Sequence, residues 1–202
     1  MPTAPEQKLW SRTRQAVYAE ITQTAMELFL ERGFEATTID DIAAAAGISR
    51  RSFFRYFGTK EDIVLGDLAA QGELIREELE ARPAAEGAWT ALLNALRNAP
   101  SLRQDDTTML KISKMLYGTP SLRARSIEKH LHWQALLSPE VRRRLGAAPN
   151  DKHDLRADAI VACVLTCLDV AGEAWTRSDG RQSLEDLVVS AVTAVRGSAP
   201  DA

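Results

Sequence analysis

The sequence predicts an all-α protein built as two helical domains, and three observations carry that expectation. No segment alternates apolar and polar residues between turn signals and no Asn-Gly turn occurs, so strands have no signature. Apolar residues recur at helical spacing instead, as at Ile21, Ala25, Leu28 and Phe29. All five phenylalanines precede residue 58, whereas Trp89, Trp133 and Trp175 are spread over the remainder, which marks two cores. The expected domains are 1–66 and 67–202, joined within a fourth helix because no Pro/Gly-rich linker separates them.

The first helix is expected from about Arg12 to Arg32, with Gly33 ending it. The stretch TTIDDIAAAAG opens a short second helix with Thr38 as N-cap and Asp41 as its capping-box partner, and Gly47 supplies the turn. Ser49 caps a third helix of barely two turns. Thr59 caps a fourth, from about Lys60 to Ala81, stopped near Pro83. Further helices are expected at 86–98, 102–117, 120–137, 139–145, 152–177 and 183–196. Their punctuation is Pro100, Gly118 with Pro120, Ser138-Pro139, GAAPN at 146–150, and Ser178-Asp179-Gly180.

With 28 acidic and 25 basic residues, a formal charge of −3 gives no general affinity for polyanions. No apolar run approaches the roughly 18 residues of a membrane span, and the N-terminus lacks the apolar centre of a secretory signal. A cytoplasmic protein with no membrane partner is expected. Cys163 and Cys167 lie four apart on one helix face, with Cβ atoms too distant for a disulfide. They read as buried apolar residues; a metal or redox pair has no neighbouring ligands, and no metal or cofactor is expected.

One stretch departs from the acidic background. Gly47 to Lys60, GISRRSFFRYFGTK, holds three arginines, one lysine and four aromatic rings, with no acid. Two short helices joined by a tight turn, the second with a cationic face, describe a helix-turn-helix. At 100° per residue Phe53 and Phe57 point towards Ile39, Ile42 and the first helix, while Arg51, Ser52, Arg55 and Tyr56 face away. Such a face suits a major groove, with Arg bidentate to guanine, Ser on a base edge or phosphate, and a Tyr hydroxyl on phosphate. The helix N-termini at Thr38 and Ser49 add N–H groups that suit phosphates.

Residues 21–63 resemble the DNA-binding domain of TetR-family transcriptional regulators. The resemblance rests on Ala25, Leu28-Phe29, Gly33-Phe34, Thr37-Thr38, Ile42-Ala43, Ala46-Gly47-Ile48-Ser49, Tyr56-Phe57 and Lys60-Glu61. It implies that Thr37, Thr38, Tyr56 and Lys60 hold phosphates and that Arg50, Arg51 and Ser52 face the bases. Where the family often has Tyr, this chain has Phe54, suited either to a thymine methyl or to the core. Arg55 projects outward, to DNA or to solvent. Lys8, Arg12 and Arg14 form either a DNA-contacting arm or a basic tail.

So short a recognition helix reads few base pairs, so specificity requires two copies on a palindromic duplex site. Val164, Leu168, Ala171 and Trp175, then Leu184, Leu187, Val188, Ala191 and Val195, form stripes on the last two helices. Paired with their symmetry mates they give the homodimer that the resemblance also implies; packing internally, they give a core. Trp89, Met109, Leu110, Met115, Leu116, Trp133, Cys163 and Cys167 are material for an effector cavity or for ordinary core. The resemblance implies a repressor released by a small molecule, and GTPSLRARSIEKHLHWQALL resembles actinobacterial members whose ligands are lipophilic. The rival functions are a helical interaction or ligand-binding protein without DNA binding, and an enzyme. For the latter no HExxH, GxSxG, phosphate loop or zinc spacing is present, so an enzyme is not expected.

Overall fold

A computed structural model of the chain describes residues 4–66, 68–98, 106–151 and 153–197. These are helical, with no strand among them, and they divide into two compact units, Met1–Gly66 and Asp67–Ala202.

The first unit holds α1 (Ala4–Arg32), α2 (Ile39–Ala45), α3 (Arg50–Phe53) and α4 (Glu61–Leu65). Helix α1 begins a full two turns before the expected Arg12. Pro5 is tolerated in a first turn, and no other breaker intervenes before Gly33. Ile21, Ala25, Phe29, Ile42, Phe53 and Phe57 are buried together. Tyr18 stacks on Phe57 at 4.6 Å, and Phe29 meets Phe34 at 4.8 Å. Truncating a ring such as Phe53 in so small a core costs about 3–5 kcal/mol.

Helix α2 starts as expected. The Thr38 hydroxyl accepts from Asp41 N, while the Asp41 carboxylate accepts from Thr38 N at 2.9 Å, closing a capping box. Gly47 takes φ +65°, a left-handed turn that brings α3 back across α2. Ser49 caps α3 through Ser52 N. Thr59, expected as the N-cap of α4, lies one residue before the N-cap Lys60 and exchanges reciprocal side-chain-to-backbone bonds with Asp62 in the first turn.

The expected single helix from Lys60 to Ala81 is broken. Gly66 sits at φ +70°, ψ −166°, a conformation that a side chain strongly disfavours, so α4 stops there and α5 starts separately.

The second unit contains α5 (Leu68–Ala81), α6 (Ala88–Asn98), α7 (Asp106–Gly118), α8 (Pro120–Arg144), α9 (Arg156–Arg177) and α10 (Leu184–Arg196). Its main core joins Ile75 and Leu79 of α5, Leu92 and Leu96 of α6, Leu137 and Val141 of α8, and Val161, Val164 and Leu165 of α9. A smaller cluster joins Cys167 and Ala171 of α9 to Val188 and Val192 of α10.

The two helices expected at 120–137 and 139–145 are one. Pro139 removes a bond to the carbonyl of Ala135, but Ala135 is solvent-exposed, so water can satisfy that carbonyl. Burial of Leu137 and Val141 on either side then carries the helix through.

The far end of α8 is pinned by two arginines. Arg142 pairs with Asp158 at the start of α9. The guanidinium of Arg144 donates to the carbonyls of Leu79, Arg82, Pro83 and Glu86 at 2.9–3.2 Å and pairs with the buried Glu140, closing the C-terminus of α5. Helix α9 is, contrary to expectation, long and apolar enough to cross a membrane by length and composition. Its inward face forms the core just described.

Candidate nucleic-acid interface

The N-terminus of α2 and the outer face of α3 belong to the same small unit, and most of the expected contact residues lie there. Arg51 is exposed and engages none of the described residues in a hydrogen bond or ion pair. Arg50 is exposed too, but its guanidinium is held 2.9 Å from the Asp40 carboxylate and lies 5.9 Å from the Phe54 ring. Phe54 is 48% exposed, meeting Phe53 edge-on instead of joining the core as a third ring. Arg55 is exposed, with its guanidinium 5.9 Å from the half-buried Tyr56 ring and its carbonyl accepting from Arg14. The Ser49 hydroxyl donates to the Ser52 hydroxyl at 3.1 Å, so both serines help to shape the N-terminus of α3.

Thr38 is exposed, with its hydroxyl and backbone N–H both engaged by Asp41. Those bonds, the hydroxyl's first, hold the Asp41 carboxyl below its ordinary range. Arg14 lies on α1 and not on a separate arm, and so do Lys8 and Arg12, whose side chains lie outside the described residues.

Two expected phosphate ligands are placed differently. Thr37 is buried, and its hydroxyl donates to the Gly33 carbonyl at 2.8 Å, where it fixes the turn between α1 and α2. Lys60 reaches back across the same turn. Its ammonium donates to the carbonyls of Phe34 at 2.9 Å and Thr37 at 3.3 Å, sits 3.8 Å from the Glu35 carboxylate, and lies 4.3 Å over the Phe34 ring. Two of the ammonium's N–H groups thus have acceptors within the fold, and its charge has a carboxylate nearby. Phe34, Glu35 and Asp40 were not legible as members of the site. Each meets its basic partner across a turn, ten to twenty-six positions away, where helical periodicity gives no signal.

In the second unit the expected cavity residues separate. Trp133 is buried in the main core, Cys167 in the smaller cluster, and Trp89 packs against both. Burial raises the Cys167 thiol pKa, as an inert core cysteine requires, and both cysteines are free. Cys163 and the α7 residues Met109, Leu110, Met115 and Leu116 are only half-buried. The expected interface stripes separate too. Val164, Ala171, Trp175 and Val188 are buried within their own chain, because the α9–α10 pair needs those faces for its own core. Leu168, Leu184, Leu187 and Ala191 pack beside them, and of the expected set only Val195, 57% exposed, is turned outward.

Sequence comparison places this arrangement. A family model described as bacterial regulatory proteins, tetR family, matches residues 21–66, and one described as the MftR C-terminal domain matches residues 86–200. The regulator TcmR of Streptomyces glaucescens is 30% identical over 99% of this chain and 89% of its own. This chain belongs to the TetR family.

The mycofactocin biosynthesis regulator MftR of Mycobacterium tuberculosis, a putative assignment in its own name, is 31% identical over 73% of this chain and 75% of that protein. The repressor AcnR of Corynebacterium glutamicum is 29% identical over 74% of each. Among solved structures, the TetR-family repressor FadR of Thermus thermophilus in complex with lauroyl-CoA superposes with a TM-score of 0.58. It is 23% identical and covers 91% of this chain and 95% of its own, which supports the fold. As a TetR-family protein the chain is a DNA-binding transcriptional regulator, and the family is one of regulators and not of enzymes.

Proposed function

We propose that this regulator is a homodimeric, cytoplasmic repressor that leaves a palindromic operator when a small, lipophilic effector occupies its second unit. The observation that carries the DNA-reading half is the outer face of α3. There Arg51 is exposed and, among the described residues, unengaged beside the exposed Phe54, above a core that fixes the helix through Phe53 and Phe57. Arg51 suits a guanine edge and Phe54 a thymine methyl, while Thr38, Ser49, Ser52, Arg55 and Tyr56 surround them with groups that suit phosphates. Arg50, held by Asp40, is the second candidate for base contact.

For the dimer, support comes from aliphatic side chains that α9 and α10 leave exposed, Val170 at 53%, Val189 at 45% and Val195 at 57%. A second copy packed on these faces gives the four-helix interface originally expected of the inward stripes. The half-buried apolar side chains of α7 favour an effector in the second unit, and the FadR complex is a precedent in one relative.

The test is selection of bound duplexes from a random pool by the purified protein, with light scattering of the protein and of Val170→Glu. Enrichment of a palindrome by a dimer that Val170→Glu splits supports the proposal. A folded wild-type protein that enriches no sequence, or a dimer unaffected by the substitution, contradicts the corresponding half.

A further inference from the structure

The basic run from Gly47 to Lys60 contains no acid, yet folding brings a carboxylate onto it. Asp40, in the first turn of α2, lies across the turn from α3, and its carboxylate accepts from Nη1 of Arg50 at 2.9 Å. Negative charge on a surface that meets phosphates weakens its attraction for every duplex alike. Whatever Asp40 supplies against that cost must be local.

The fold of α2 does not require it. Thr38 and Asp41 close the capping box between themselves, and Asp41 also places an acid in the first turn, where the helix dipole favours one. Stability gives no better reason, because the Arg50 and Asp40 side chains are 60% and 66% exposed and such pairs contribute little in water.

What the pair does is fix a guanidinium. Arg50 is bracketed by the Asp40 carboxylate and by the Phe54 ring, whose centre lies 5.9 Å from the guanidinium carbon. Phe54 is itself set edge-on against the buried Phe53, so the bracket is anchored to the core of the unit. Among the described residues only Nη1 is bonded, which leaves the N–H groups of Nε and Nη2 for a ligand. Two parallel N–H groups are what the O6 and N7 of a guanine accept in the major groove. A side chain already held in place loses less freedom on docking, and the ion pair strengthens as the groove excludes water.

From this geometry we infer that Asp40 is a specificity-determining positioning residue, which holds the Arg50 guanidinium so that its remaining edge reads one guanine in each half-site. The inference rests on the reading of the α3 face as the base-contacting one. It adds a residue of α2, outside that face, that sets what the face reads.

The test runs the random-pool selection with the full-length wild type, Asp40→Asn, Arg50→Ala and the double variant, followed by anisotropy titrations on the selected duplex and on its single-base-pair changes. Arg50→Ala is expected to abolish a guanine preference at one position of each half-site. Asp40→Asn is expected to weaken preference at that same position at least about threefold while sparing the others, and the double variant is expected to lose no more than Arg50→Ala alone. A merely structural role for Asp40 would lower affinity at every position together and would overturn the inference. So would an unchanged preference in Asp40→Asn or in Arg50→Ala, or a sharper guanine preference in Asp40→Asn, which would mean that the carboxylate sequesters Arg50. Urea unfolding checks that the variants are folded, and Asp40→Ser makes the same comparison if Asp40→Asn is not. A folded wild type that enriches no sequence overturns the reading of α3 itself, and is distinguished from failure of the Asp40 inference because the latter leaves wild-type enrichment intact.

Discussion

Lys60 separates two accounts of a positive charge at a DNA-binding surface, one in which it touches phosphate and one in which it holds the scaffold. Its ammonium donates to two carbonyls of the turn between α1 and α2, and its side chain is only 19% exposed. Hydrogen bonds from a charged group contribute about 1.5–3 kcal/mol each in favourable cases. Lys60→Met keeps the stem and removes the donors, so the first unit is expected to lose about 2 kcal/mol, measured by urea unfolding. Operator affinity is expected to fall because the turn presents the N-terminus of α2. The dependence of log affinity on log salt is the discriminating quantity. Loss of a direct phosphate contact lowers that slope by about 0.9, whereas loss of a scaffold contact leaves it unchanged. Titrations between 50 and 200 mM salt resolve the difference, these concentrations following the range over which such slopes are about linear. Unaltered stability together with a slope lowered by about one refutes the scaffold account and restores Lys60 as a phosphate ligand.

Other substitutions probe the fold and the face independently. Asp40→Asn releases Arg50 from its ion pair and removes a negative charge from the DNA side. Affinity for random duplex should rise and the ratio of specific to random binding should fall, by fluorescence anisotropy on both duplexes. Thr38→Ala removes the N-cap and should cost about 1 kcal/mol of unfolding free energy at neutral pH. The Asp41 carboxyl, held below its ordinary range in the folded state, stabilises the fold when ionised. Its contribution is full above the unfolded pKa and fades as pH falls through the folded one, so in carboxyl NMR titrations Thr38→Ala should move Asp41 upward. Arg144→Met leaves Glu140 to Arg143 alone and removes the donor to four carbonyls at and just beyond the end of α5, and should destabilise the second unit by about 2 kcal/mol in urea unfolding.

Local chemistry made much of the first unit legible in advance. Thr38 with Asp41, Ser49 with Ser52, and the turn at Gly47 are decided within four residues of one another, and the apolar spacing of Phe53 and Phe57 fixes which side of α3 is buried. Illegible were the contacts made across turns, since the acid-free run from Gly47 to Lys60 acquires Asp40 and Glu35 only through folding. Gly66 gives no warning of a break, because one glycine within a helical pattern is ordinarily tolerated and only its dihedral angles distinguish the two cases. Pro139 is the opposite case, a breaker that the helix tolerates since its lost bond faces water. The α9 and α10 stripes show why an apolar face in sequence does not identify its partner, as inward packing of Val164, Ala171 and Trp175 and intermolecular packing impose the same periodicity.

The most direct test of the recognition face is to repeat the random-pool selection with Arg51→Ala beside wild type. Each bidentate arginine contributes about 1–3 kcal/mol of discrimination at one base pair. The account predicts that preference disappears at one position in each half-site while the spacing of the half-sites and the remaining bases persist. An identical enriched sequence from both proteins would contradict it, and would move base reading away from the outer face of α3.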